Sequence, residues 1–366
     1  MTESDASLTS NASRETRELN FESGDRLRSA ANLIADATLK RDYTQRPFLI
    51  DRYGENGRSK YREDVLYNVA ALSAAVDAED SAMFLRYIAS IKILLVSRGI
   101  AADDIVESLR CMASALTDDV PGDHSWAASA LLAAVEEIAS MPDGVPSFIN
   151  PSSDEHCIAQ RCLTELLRLD AKAGREVLEN ALAAGMPLAQ IYAGILPPMM
   201  REVGRLWQMN EIGVAREHYC AAAVQSILGG FHDRVFSHAT RSGRWMLVAC
   251  VAGEQHELGG RTLSDLFELN GWRTSFLGAN LPARELVAQI NQAKQLPDLI
   301  ALSATLPNHL KQVASTIDLI RDSLNVPIMV GGNLLNECPG LAARLGADGW
   351  AENAEQSIAI ANALVA

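Results

Sequence analysis

The chain has 366 residues, 48% of them hydrophobic, and carries 32 Lys and Arg against 46 Asp and Glu for a formal net charge of −14. This length predicts two or three compact units with ample material for a core. The acidic balance argues against a sequence-independent grip on nucleic acid, which needs clustered cations against phosphates, and favours a protein or small-molecule partner.

The first residues, MTESDASLTSNASRE, contain no apolar segment, and no later run reaches the length of about 18 apolar residues that a membrane span needs. A cytoplasmic protein with no membrane contact is expected. Residues 1–55 mix Ser, Thr, Arg, Asp and Glu and read as a partly disordered arm, with one helix around Leu27 to Leu39. Residues 56–145 read as a helical sensor or interaction domain. DVLYNVAALSAAV, SAMFLRYIASIKILLVSRG, DDIVESLRCMASAL and SWAASALLAAVEEIASM each place apolar residues three and four apart. Gly99 closes the second of these helices, and Pro121-Gly122 separates the third from the fourth. The prolines and glycine of MPDGVPSFINPSSDE, Met141 to Glu155, mark a linker.

A four-helix block is expected over 156–238, with Pro197-Pro198 kinking its third helix. From 243 to 366 the period changes. RWMLVACV, RTSFLGA, DLIALSA, VPIMVGG and DGWAEN are short apolar strands separated by helical stretches, which predicts a parallel sheet covered on both faces. The fold class is thus α and α/β: an N-terminal helical domain, a four-helix cap and a C-terminal flavodoxin-like, doubly wound domain. The six cysteines, Cys111, Cys157, Cys162, Cys220, Cys250 and Cys338, show no CxxC pairing and read mostly as core residues of a reduced protein.

In a doubly wound sheet, ligands bind outside the carboxyl ends of the strands. Glu254-x-His256-x-x-Gly259 follows the first strand, Ser303-Ala304-Thr305 the third, and Gly331-Gly332 the fourth. A lone loop histidine is more often solvated than a ligand, and a glycine pair commonly ends a strand to permit positive φ. Convergence of the three on one crevice is what marks a site. In the helical block, Trp207 precedes Glu217-His218 by nine intervening residues. By itself that spacing equally suits a core tryptophan and a solvated pair at a helix start, where glutamate is favoured.

The histidine loop, serine segment and glycine pair resemble those of the cobalamin-binding domain, and with the helical block the resemblance covers about residues 156–366. It implies that the cofactor's lower base leaves cobalt and that His256 replaces it as lower axial ligand. Glu254, where aspartate is commoner, would accept from the second imidazole nitrogen. Ser303 and Thr305 would bond the nucleotide tail, and Gly259, Gly260, Gly331 and Gly332 would leave it room. Trp207, Val214, Glu217 and His218 resemble the W-x9-EH signature of the CarH/LitR class of adenosylcobalamin photoreceptors. That resemblance implies adenosylcobalamin as cofactor, with Trp207 against the deoxyadenosyl group and Glu217 accepting from the adenosine. Light would break the cobalt–carbon bond, and His218 would take the vacated upper position on the metal.

Members of that class usually carry an N-terminal helix-turn-helix of the MerR type, and this chain shows no basic recognition helix. Direct DNA binding is therefore not expected; a homo-oligomer, a dimer, and an unknown downstream protein partner are. The domain count resembles that of photocobilins, which implies a biliverdin in the 56–145 domain. Tyr61, Tyr67, Tyr87, Arg86, Arg110, Cys111, His124 and Trp126 are candidates there, because a linear tetrapyrrole needs aromatic walls and cations for its propionates. The other reading makes this a dimerisation or docking domain whose aromatics are core, and FLRYIASIKILLVSRGI, which resembles helical sensor domains of stress-signalling proteins, fits both. Of the rival functions, a corrinoid methyl carrier shares the cap and sheet domain but must expose its upper face. A mutase needs a substrate barrel of about 250 residues, for which no strand-helix run exists, and a haem sensor would not need the full loop and glycine pair.

Overall fold

The computed structural model describes residues 19–237, 242–338 and 340–366. The contacts divide the chain between Val145 and Pro146 into two compact units. The N-terminal unit is all helical, with α1 (Glu22–Ser29), α2 (Ala31–Gln45), α3 (Leu49–Ala78), α4 (Ser81–Val96), α5 (Ala102–Asp118) and α6 (Ser125–Glu137). Its core is built from Leu27, Ile34, Leu72, Phe84, Ile88, Leu109, Met112 and Leu116, all fully buried. Within α3, Gly54 adopts φ 68° and ψ −178°, a backbone conformation that interrupts the helix and that glycine alone adopts cheaply.

The expected arm over residues 1–55 is corrected by this unit. Its first 18 residues lie outside those described, but residues 19–55 form α1, α2 and the start of α3 and bury Leu19, Phe21, Leu27, Ile34, Leu39 and Leu49. The polar composition misleads because many of the charges are paired internally. Arg28 bonds Asp77 at 2.8 Å, and Arg46 grips the buried Asp42 through two bonds of 2.6 and 2.7 Å and reaches Asp104. Low apolar content here reflects a salt-bridged helical layer, not disorder. The helix anticipated across Leu27–Leu39 is two helices meeting at Ala30.

The second unit begins with the helices α7 (Asp154–Leu167), α8 (Ala171–Ala183), a short α9 (Leu188–Gln190), α10 (Leu196–Gln208), α11 (Val214–Gly230) and α12 (His232–Ser237). The last residue of the expected cap, His238, lies outside the described residues. Ser153 and Asp170 cap α7 and α8 by accepting the backbone N–H of His156 and Ala173. A π-helical turn, Ile191–Ile195, precedes α10. Proline supplies no N–H, so Pro197 and Pro198 deprive the carbonyls of Ala193 and Gly194 of their ordinary partners, and the helix changes register at that point. Leu163, Leu166, Tyr192, Ile195, Met199, Val203, Val224 and Leu228 form the buried centre of this bundle.

The strands β1 (Trp245–Cys250), β2 (Arg273–Phe276), β3 (Leu299–Ser303), β4 (Ile328–Gly331) and β5 (Gly349–Trp350) make one parallel sheet in the order β2-β1-β3-β4-β5. Between them run α13 (Leu258–Leu269), α14 (Ala283–Asn291), α15 (Leu310–Ser323) and the short α16 (Asn333–Asn336) and α17 (Leu341–Arg344); α18 (Ala354–Leu364) closes the chain. β1 is buried along almost its whole length, as a central strand covered on both faces requires. The chain turns from β1 to β2 on one side and returns to β3 on the other, so the switch point lies beyond the ends of β1 and β3. No helix among the described residues is long and apolar enough to cross a membrane. Five cysteines are buried and Cys157 is exposed; all six are free thiols.

Candidate functional site

At the switch point, the loop after β1 folds back so that the Glu254 carboxylate, fully buried, collects four donors. The His256 backbone N–H reaches Oε1 at 2.7 Å and the His256 ring Nδ1 the same oxygen at 2.5 Å. Oε2 accepts from the Thr305 backbone N–H at 2.5 Å and faces Nδ1 of His309 at 3.2 Å. Burial alone would raise the Glu254 pKa, but the donors from His256 and His309 outweigh it and hold the carboxyl well below the usual carboxylate range. The same hydrogen bond raises the pKa of His256, against the opposing effect of burial, with the carboxylates of Glu254 and Glu217 adding to the rise. With Nδ1 donating to Glu254, a neutral His256 ring carries its lone pair on Nε2. Its side chain is 59% exposed while Glu254 has no exposure, so the free ring nitrogen is presented and its support is hidden.

Other candidates around this loop divide by role. Gly259 faces open space, where a Cβ would meet nothing within 4 Å, and Gly331 has only the Ala351 carbonyl at 3.9 Å. Gly332 answers a different demand: at φ 102°, a Cβ would sit 2.3 Å from the Ala304 carbonyl oxygen, so this glycine lets β3 and β4 close at their ends. Gly260 is likewise a packing glycine, against Phe276. Ser303 ends β3 opposite Gly331, and its carbonyl accepts from Val251; its hydroxyl lies by the Cys250 thiol, which burial pushes up to about 12. The Thr305 N–H is committed to Glu254. His309, in the short 3-10 turn Pro307–His309, was not anticipated from sequence; the available signal was a histidine in the loop after β3, six residues beyond Ser303.

The cap is tied to the sheet domain by the buried Tyr192 hydroxyl donating to Asp265 of α13 at 3.0 Å and by Gln225 of α11 donating to Glu257 at 2.8 Å. Trp207, near the end of α10, packs half-buried on the cap core. After five residues α11 opens with Val214, which is exposed, and carries Glu217 in its first turn. The His218 ring bonds the Glu217 carboxylate at 2.5 Å with its side chain 74% exposed.

An accessible imidazole with one tautomer fixed by a buried carboxylate, three residues before a glycine that faces open space, could hold a metal through its Nε2. Two family models match this chain, both described as B12 binding domain, over residues 158–229 and 244–359. The repressor CarA of Myxococcus xanthus, described as an HTH-type transcriptional repressor, is 33% identical over 206 residues, covering 56% of this chain and 68% of CarA. This chain belongs to the CarA family of B12-binding proteins. Its module is therefore CarA/CarH-like and binds cobalamin. CarH of the same organism is 28% identical, covering 46% of this chain and 56% of CarH. Dimethylamine corrinoid protein 1 of Methanosarcina acetivorans is 26% identical, covering 52% of this chain and 83% of that protein. In the CarA-type module the two matched regions are the cap and the sheet domain that Tyr192 and Gln225 hold together.

Six of the eight side chains named for a bilin are engaged with separate local partners. Tyr61 donates to Asp42 at 2.8 Å, with Cys111 nearby, and Tyr87 to Asn68 at 3.1 Å. Arg110 pairs with Glu107, Arg86 with Asp80, and the buried His124 with the Pro121 carbonyl. Tyr67 and Trp126 are exposed.

Proposed function

We propose that this protein is a light-responsive signalling protein, not an enzyme, whose cofactor is adenosylcobalamin held between the cap and the sheet domain. The observation that carries this is the Glu217-His218 pair at the start of α11, with Trp207 near the end of the preceding helix, on the cap that Tyr192 and Gln225 tie to the sheet domain bearing His256. Cobalamin supplies a light-sensitive cobalt–carbon bond when bound. His256 supplies a lone pair from the sheet side, and Glu254 keeps that ring in one tautomer. Trp207 and Glu217 give the cap side an aromatic wall and a carboxylate suited to an adenosine. His218, exposed beside Glu217, is a second imidazole able to serve the metal from that side. Similarity to CarA and CarH supports regulation as the output; with no basic recognition helix in the sequence, the signal would pass through self-association, as a dimer, and a protein partner in the cytoplasm rather than through DNA.

Absorption spectra of protein loaded in the dark with adenosylcobalamin, before and after green illumination, test this directly. Conversion to a stable, protein-bound cob(III)alamin spectrum is expected. His218→Ala is expected to bind in the dark as the parent does and to lose cobalamin after illumination; retention would remove its assigned role. The same spectra taken with biliverdin test the second chromophore that the likeness to photocobilins implies: a bound, red-absorbing bilin would assign the N-terminal unit to it, and no binding would favour the dimerisation or docking reading. The likeness to dimethylamine corrinoid protein 1 supports a second reading, a corrinoid methyl carrier. A light response no different from free cofactor would favour it.

A further inference from the structure

The segment that leads from the N-terminal unit into the cap is held at both ends by buried charges. On the N-terminal side, Lys92 of α4, only 4% exposed, donates to the Met141 carbonyl at 2.7 Å and pairs with Asp143 at 2.7 Å. On the cap side, Glu202 of α10, 5% exposed, accepts the Phe148 backbone N–H at 2.8 Å. Arg205, one turn on, fixes the other Glu202 oxygen at 2.9 Å and is itself held by Glu211 at 3.0 Å. Ile149 packs on the cap core, and the Asn150 N–H donates to the His156 ring at 2.8 Å. A buried carboxylate in an apolar bundle needs all of its donors, because losing one leaves charge without compensation in a place water does not reach. Glu202 therefore specifies where the chain enters the cap.

Glu202 and Trp207 lie on the same helix, five residues apart, downstream of the π turn and the two prolines. A helix moves as a rigid rod, so a displacement of the end that bears Trp207 is felt at Glu202. We infer that Glu202 and the Phe148 N–H form a latch through which occupancy of the cobalamin site is transmitted to the segment joining the two units. The latch requires only that cobalamin binds against α10; its response to light rests in addition on the photoreceptor reading.

Hydrogen–deuterium exchange of the full chain, followed at the Phe148 amide, tests this. Exchange is compared without cofactor, with adenosylcobalamin in the dark, and after green illumination. Between the cofactor-free and dark-loaded states the amide is expected to change rate by about tenfold or more. In Glu202→Ala it should exchange at one fast rate in all states while cobalamin absorbance persists, and Glu202→Gln, which keeps an acceptor, should restore part of the difference. Equal exchange of the parent protein in the cofactor-free and dark-loaded states overturns the latch, as does a cofactor-dependent rate that survives in Glu202→Ala. A dark-loading effect with no further change on illumination keeps the latch and counts against the light-sensing reading alone.

Discussion

The proposed cobalt ligand, His256, rests on three other residues. His256 presents its free nitrogen because Glu254 occupies the other, and Glu254 stays charged while buried because Thr305 and His309 add donors from the far side of the switch point. His309 acts through Glu254 and is a positioning residue. Groups that orient a metal-ligating histidine typically contribute about 10–100-fold in affinity when removed. His309→Ala is expected to weaken cobalamin binding by roughly tenfold and to lower the fraction of bound cofactor whose spectrum shows histidine ligation. His256→Ala should abolish that spectrum outright. If His309→Ala destabilised the fold but left the ligation spectrum unchanged, its role would be packing alone. Sequence reasoning reached His256 and Glu254 because they share one short loop. His309 escaped it because its partner lies 55 residues upstream and meets it only when β1 and β3 pair.

Among the elements, those with a strong period were legible. β1 to β5 and their helices stand where short apolar runs alternate with amphipathic ones, and the sheet order follows from the rule that a doubly wound chain reverses once. Elements stabilised by long-range pairing were not legible. α1 and α2 bury few large apolar side chains and rely on Arg28–Asp77 and Arg46–Asp104, contacts that local composition does not encode. The double proline did announce a distortion in the third cap helix, but its form, a π turn that carries Tyr192 into the junction with α13, depends on Asp265 lying opposite. Burial raises the pKa of Asp265 and the Tyr192 hydrogen bond partly offsets it. Tyr192→Phe leaves this carboxyl with one donor fewer, at a cost of about 1–3 kcal/mol. For a unit of this size that corresponds to a loss of about 2–4 °C in melting temperature per kcal/mol, measurable by calorimetry. An unchanged melting temperature would show that the cap does not lean on this bond.

At the scale of the whole molecule, the acidic chain divides into a unit that carries the histidines and glycines of the crevice and another whose charges are spent largely on its own helices. A ligand stabilises only what it binds in the folded form, by RT ln(1 + [L]/Kd), or about 2.7 kcal/mol at a free concentration one hundred times Kd. The proposed cobalamin contacts, drawn from α10, α11 and the strand ends, all fall within Pro146–Ala366, so the stabilisation is expected in that unit. Calorimetry of the full chain in the dark is expected to show its transition rise by roughly 5–10 °C with saturating adenosylcobalamin, while the transition of the N-terminal helices stays in place. His256→Ala should shrink the rise, since the imidazole contributes binding only to the folded crevice. A rise confined to the N-terminal transition would place the cofactor in the wrong unit and refute the site.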